Sequence, residues 1–270
     1  MNTLDTDPQI QSCTKAFTTA VAYFGVGSTS ASVSASAIMS ALNTLASSLS
    51  ACPESVLRTQ LTNFYSACPN ELTSSPNSDV IRAYDVLFAL YPFSQAICSK
   101  DDNGSYCVIE TGPTSNNTQS LLSSGGSSPA ANLWEPVSGG NTRRDQEQVI
   151  IPNMQQFRTA NLVFLGLLPS LTESQLCTTC TRNVLNQYIQ FMSSIPYAPG
   201  ISNSPLMGGE TDLYNAVQQK CGTAFLSGSV QAAGGIAGGI LSGGAAGLSV
   251  NTRTVVGAIL ATVAGFSITL

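Results

Sequence analysis

Leu176-Cys177-Thr178-Thr179-Cys180-Thr181-Arg182-Asn183-Val184-Leu185-Asn186-Gln187-Tyr188-Ile189-Gln190-Phe191-Met192 is the stretch whose reading decides the fold class. Leu176, Cys177, Cys180, Val184, Leu185, Tyr188, Ile189 and Met192 recur every three or four residues, which marks one face of a helix. The spacing predicts a long helix over Thr172–Ser194, stopped by Pro196-Tyr197-Ala198-Pro199-Gly200. Cysteines at i and i+3 share a helix face, so each sulfur can meet a partner on a different neighbouring element. Cys221 is a natural partner for one of the two. The other could then reach the first half of the chain and clamp the halves together.

Helical periodicity continues outward. Downstream, Leu213, Tyr214, Val217 and Cys221 predict a last helix over Asp212–Phe225, and upstream Asn161–Leu168 is a tight apolar run read as helical. Further upstream, helical spacing marks Cys13–Phe24, a segment from Ile38 through Leu42, Leu45 and Leu49 to near Cys52, and one through Val56, Leu57, Leu61, Phe64 and Tyr65. Pro53 can open the last of these, since its missing N–H costs nothing there. A fourth helix is expected over Ser78–Leu90, with Ser78 or Asp79 as its cap. Asn-Gly at 103–104 suggests a hairpin between Cys98 and Cys107, with Tyr106–Ile109 as one strand; Val149–Ile151 could supply another. The expected fold is mainly α: a disulfide-bonded helical bundle of two related modules with at most a small β-hairpin. The modules are residues 1–110 and 151–226, joined by a Ser/Gly-rich linker at 111–150 and forming one ectodomain. A weak echo relates them: Cys52 and Cys180 are each followed by Val-Leu at four and five residues and by an aliphatic residue at nine.

Composition narrows the function. The 270 residues include 36 Ser and 25 Thr, eight Cys and no His; 9% are charged and the net charge is −5. Without His there is no Ser-His-Asp triad, imidazole base or histidine metal site. Ten scattered Lys and Arg residues make no nucleic-acid footprint. An even cysteine count fits a disulfide framework in an oxidising compartment. All eight (Cys13, Cys52, Cys68, Cys98, Cys107, Cys177, Cys180 and Cys221) are expected in four bonds. Structural disulfides are favoured over a redox dithiol or half a zinc site at Cys177 and Cys180, because no βαβ context and no second CxxC accompany them.

Four further features point to the cell exterior. Asn103-Gly-Ser and Asn116-Asn-Thr are N-glycosylation sequons. Residues 227–253 form a Gly/Ala/Ser-rich stalk, and residues 254–270 (TVVGAILATVAGFSITL) are an uncharged terminal tail. The tail is short for a span of ~20 residues and carries no basic flank. Small residues, spacer and tail together make a GPI-attachment signal, with Gly244 as the site and Ser242 and Gly243 as alternatives. Arg143-Arg144 is a possible dibasic processing site in the linker. The polar start at Met1 has no signal-peptide pattern, so either a secretory leader precedes it or the GPI reading is wrong.

Chemistry-bearing constellations are sparse. Asp101-Asp102 lacks the spaced oxygens and terminal Glu of an EF-hand. Trp134, the one Trp, falls in the linker, and the Tyr and Phe residues fall on helix faces as expected core. Glu54, Glu71, Asp79, Asp85, Glu110, Glu135, Asp145, Glu147, Glu173, Glu210 and Asp212 are dispersed. Two of them could converge as a glycosidase pair, which sequence alone does not show. No catalytic residue, cofactor or metal is assigned. The partners expected are the membrane through a GPI lipid, and either a cell-wall glycan or a small apolar ligand.

Two blocks of residues carry a resemblance. One runs from Cys52 through Leu61-Thr-Asn-Phe64-Tyr65-Ser-Ala-Cys68, Glu71-Leu72, Tyr84-Asp85, Pro92 and Cys98-Ser-Lys-Asp101-Asp102-Asn-Gly104-Ser-Tyr106-Cys107. The other runs from Cys177-Thr-Thr-Cys180 through Tyr188, Phe191, Pro196-Tyr197, Gly200 and Leu213-Tyr214 to Cys221-Gly222 and Phe225. Across roughly residues 10–228 the chain resembles an uncharacterised fungal family of secreted, cysteine-rich, often GPI-anchored proteins, a domain of unknown function. That resemblance implies the extracellular face of the plasma membrane or the cell wall, and brings no activity with it. A haem-binding fungal GPI family with eight cysteines is a poor match, because its cysteines pack within a short domain.

Overall fold

The computed structural model describes residues 8, 10–11, 13–15, 35–49, 52–111, 134–136 and 150–226. The longer helices are α1 (Ala35–Ser48), α2 (Glu54–Ala67), α4 (Ser78–Cys98), α8 (Thr179–Ser194) and α9 (Glu210–Cys221). Short helical turns join them: α3 (Pro69–Leu72), α5 (Cys107–Glu110), α6 (Met154–Thr159) and α7 (Glu173–Leu176). The fold is mainly helical and disulfide-bonded, and a single hydrophobic core draws side chains from both halves of the chain.

Helix α4 is the centre. Asn77 caps it, its side chain accepting the N–H groups of Asp79 and Val80 at 3.0 and 3.1 Å. The cap is thus Asn77, one residue before the expected Ser78 or Asp79. The helix also runs through Pro92 to Cys98, beyond the expected end at Leu90. An interior proline costs a hydrogen bond and about 3 kcal/mol. Here Phe93, Ala96 and Ile97 beyond it are all buried, and their removal from water offsets that cost.

Helices α2 and α4 run antiparallel. Phe64, late in α2, meets Tyr84, early in α4, edge-on at 5.5 Å. Glu54 at the start of α2 lies within electrostatic reach of Tyr91. Against another flank of α4 lies α8, whose Phe191 meets Phe88 edge-on at 5.1 Å. Tyr197 follows α8 and packs on Phe88 at 5.1 Å and on Tyr84 at 5.5 Å. Tyr84, Phe88, Phe191 and Tyr197 are core, whereas Tyr65 on α2 is exposed.

Three expected elements take other forms. The helix over Thr172–Ser194 breaks at Cys177 into α7 and α8, because the Thr178 hydroxyl accepts the Thr181 N–H at 3.2 Å and starts a new helix. Cys177 and Cys180 therefore do not share a helix. The run at 161–168 is a buried loop around a 3₁₀ turn (Leu162–Phe164). Asn161 and Leu165 adopt left-handed backbone angles, φ 48° and 55°. Loop carbonyls find partners inside the fold: Asn161 Nδ2 donates to the Leu167 carbonyl at 2.8 Å, and the Tyr188 hydroxyl donates to that of Val163. Finally, Cys107–Glu110 is helical rather than a strand; only a Lys100–Tyr106 bridge remains of the expected hairpin.

A two-stranded antiparallel sheet instead pairs Trp134–Pro136 with Ile150–Pro152. Trp134 and Ile150 both fall within the expected linker at 111–150, so part of that segment is ordered by strand pairing.

Phe88→Ala should destabilise the domain by about 3–5 kcal/mol, because it empties the site where α4, α8 and Tyr197 meet. Tyr65→Ala, at a position 43% exposed, should cost under ~0.5 kcal/mol. Urea unfolding of the two variants beside the parent measures the contrast.

Candidate functional site

The sulfur framework comes first. Cys13 pairs with Cys52, Cys107 with Cys180, and Cys177 with Cys221. Cys177 thus takes Cys221, and Cys180 reaches back to the first half, as the sequence suggests. These bonds close loops of 39, 73 and 44 residues, each worth about 4 kcal/mol if chain entropy alone is counted.

Cys68 and Cys98 are free thiols, which corrects the expectation of four bonds. Cys68 follows the end of α2, beside the start of α4, and Cys98 closes the opposite end. The 21 residues of α4 separate those ends by roughly 30 Å, far beyond disulfide reach. Burial pushes the Cys98 thiol up to about 12, so it is held as an unreactive thiol.

Beside the Cys107–Cys180 bond lies the turn Asp101–Ser105. The Asp101 carboxylate accepts the Asn103 N–H at 3.0 Å, the Asn103 side-chain amide at 2.9 Å and the Ser105 N–H at 2.6 Å. Asp102 accepts the Thr179 hydroxyl at 2.5 Å, and Asn183 donates to the Lys100 carbonyl at 2.8 Å. The two acidic side chains therefore shape the turn and fasten it to α8. Gly104 sits at φ +84° with open space around it, and Asn103 and Ser105 are exposed. A glycan on Asn103 meets no steric obstacle there.

The second cluster lies deep in the core. Asp85, on α4, is fully buried. Its carboxylate accepts the Ser204 hydroxyl at 2.5 Å and the Leu206 N–H at 2.7 Å. The same Ser204 oxygen accepts the Met207 N–H at 2.7 Å. One acid thereby fixes the segment leading into α9. Burial pushes the Asp85 carboxyl up to about 7, opposed by those hydrogen bonds and by the nearby Arg158 guanidinium. Tyr197 is buried beside it, and its hydroxyl has no aligned hydrogen bond among the described residues. Glu210, the first residue of α9, is 7% exposed. Its Oε2 has no hydrogen-bond partner among the described residues, and burial pushes its carboxyl up to about 8.

Between the two acids the chain passes through Gly208-Gly209. A Cβ on Gly209 would come within 2.2 Å of Asn161 Oδ1, and one on Gly208 within 2.8 Å of Arg158 Cζ. At Gly209 the obstacle is Asn161, buried in the core; at Gly208 it is the Ser204 backbone carbonyl, also at 2.8 Å, since the exposed Arg158 side chain can move aside.

Of the dispersed carboxylates, Glu54 and Asp79 form surface ion pairs with Arg58 and Arg82. Asp85 and Glu210 are buried in the core rather than lining an open cleft. No group of three or more metal-ligating side chains converges among the described residues. Asn116, Arg143, Arg144, Ser242, Gly243, Gly244, the stalk and the terminal tail lie outside the described residues. No protein-family model, curated protein or solved structure matches the chain.

Two outcomes follow from this geometry. Both buried acids have folded pKa values raised above their unfolded ones, so the fold binds extra protons from about pH 4 to pH 8. Unfolding free energy is therefore greatest near pH 4 and falls as pH rises towards 8, by several kcal/mol. Denaturant titrations at pH 4, 6 and 8 measure the slope. Gly209→Ala should cost about 1–3 kcal/mol by displacing Asn161, read as a lowered midpoint in the same titrations.

Proposed function

We propose that the chain is a non-catalytic ectodomain of the fungal cell surface or cell wall, carried on a Gly-rich stalk and tethered by a GPI lipid. The observation that carries this reading is the sulfur framework: three long-range disulfides knit one helical core, and such bonds persist in oxidising compartments. The charge-poor, hydroxyl-rich composition, the stalk with its attachment region at 227–253 and the terminal signal at 254–270 support it. Acid stability from Asp85 and Glu210 suits an acidic exterior. Between α4 and α8, where an apolar ligand could sit in a helical bundle, the rings of Phe88, Phe191 and Tyr197 pack against one another. That packing favours a structural role over lipid carriage.

The test uses the full chain behind a secretory leader, expressed in yeast with an epitope tag near the N-terminus. Phosphatidylinositol-specific phospholipase C should release it from spheroplasts, and Gly244→Trp with Ser242→Trp and Gly243→Trp should abolish surface retention. Retention after lipase treatment would sink the lipid tether. Peptide-N-glycosidase F should reduce the mass of the parent, and Asn103→Gln should remove one glycan's worth of that shift.

A further inference from the structure

We propose that Glu210 is the trigger of an acid-closed latch: with its carboxyl neutral, the segment Tyr197–Leu213 is locked onto α4 and α8 through Asp85, and ionisation of Glu210 releases it locally. The geometry has three parts: a fastening, a trigger and a hinge.

The fastening is Asp85. Through Ser204 and the Leu206 N–H it ties α4 to the segment before α9 inside the core. Ser204 in turn holds the Met207 N–H, so one carboxyl organises anchor points at Ser204, Leu206 and Met207. Around it stand Tyr188 from α8, Tyr197 and Ser204 from the segment itself, and Arg158 from α6, with Tyr84 packed on Tyr197. Arg158 is the one cation of that set, and it is solvent-exposed.

The trigger is Glu210. It lies at the start of α9 with one carboxyl oxygen unbonded in the core. The group facing it from α8 is Tyr188, whose hydroxyl is already committed to the Val163 carbonyl. Among the described residues no cation offsets a charge on Glu210, and burial pushes its carboxyl up. A proton on Glu210 makes the site neutral. Losing it leaves a buried anion without a partner, a state that costs several kcal/mol unless the group reaches water. Swinging the first turn of α9 outward brings it there. Gly208 and Gly209, which fit closely over Arg158 and Asn161, move with it, and so do the anchor points on Asp85.

The hinge confines the motion. The far end of α9 stays fixed by the Cys177–Cys221 bond and by Lys220 Nζ, which donates to the carbonyls of Pro169 and Leu171 at 2.7 and 2.5 Å. Opening therefore uncovers Leu206, Met207 and Leu213, all fully buried in the closed form, while α2 and α4 keep their packing. Burial places the Glu210 carboxyl at about 8, so the trigger is neutral in acid and ionises as the pH approaches 8.

Hydrogen–deuterium exchange with mass spectrometry, on the intact disulfide-bonded protein at pH 5 and pH 8, decides the matter. After correction for intrinsic exchange rates, peptides spanning 197–213 should lose at least tenfold in protection at pH 8, while peptides from α2 and α4 hold theirs. Glu210→Gln, which is neutral at both pH values, should keep acid-like protection at pH 8. Unchanged protection of 197–213 in the parent overturns the latch, and this comparison needs no variant. Uniform loss across all helices, or a Glu210→Gln protein that still loosens as the parent does, overturns it equally.

Discussion

Thirteen of the 21 residues of α4 are buried, so this helix has no broad solvent face and folds only where neighbours surround it. Its interior position sets the conditions for the rest of the molecule. Helix α2 covers it antiparallel through Phe64 and Tyr84. Helix α8 covers it through Phe191, and the chain after α8 lays Tyr197 over Phe88. A helix apolar all round is stable in water only as the centre of a core. The two halves of the sequence therefore share one interior. The Cys107–Cys180 bond joins them beside the end of α4 and limits their separation in the unfolded chain.

That central helix also carries the feature least expected of a core. Asp85 lies between Tyr84 and Val86 in an otherwise apolar run and is fully buried. A buried acid is tolerated when its hydrogen bonds are satisfied. Ser204 and the Leu206 N–H supply them, and in doing so they place the entry to α9. Glu210 then sits with its Oε2 unbonded among the described residues. The polar part of the core is thus strained towards acid conditions, whereas the aromatic part is indifferent to pH.

Much of this was legible in the chain, and the failures have physical causes. Period 3.6 marks the helix face of 179–192, whereas the expected single helix through Cys177 breaks there, and the two cysteines still take different partners. Glycine and proline punctuation misled where tertiary burial overrode it: Pro92 lies inside α4 because the residues beyond it are core. The apolar run 161–168 has no periodicity to separate a buried helix from a buried loop, and only the Asn161 and Tyr188 hydrogen bonds explain how the loop form is satisfied. Asp85 was visible as a lone acid in an apolar run. Its partners, 119 and 121 residues away, were not. Counting cysteines gave an even number, and distance along α4 showed why two of them stay apart.

The account rests on α4 and α8 forming one body with the sulfur pattern this imposes. Proteolysis of the alkylated, unreduced protein followed by mass spectrometry of its linked peptides tests that most directly. The structure predicts the linkages Cys13–Cys52, Cys107–Cys180 and Cys177–Cys221, with Cys68 and Cys98 recovered as alkylated thiols once the protein is unfolded. A Cys68–Cys98 linkage, or Cys180 bonded to any cysteine but Cys107, would contradict it.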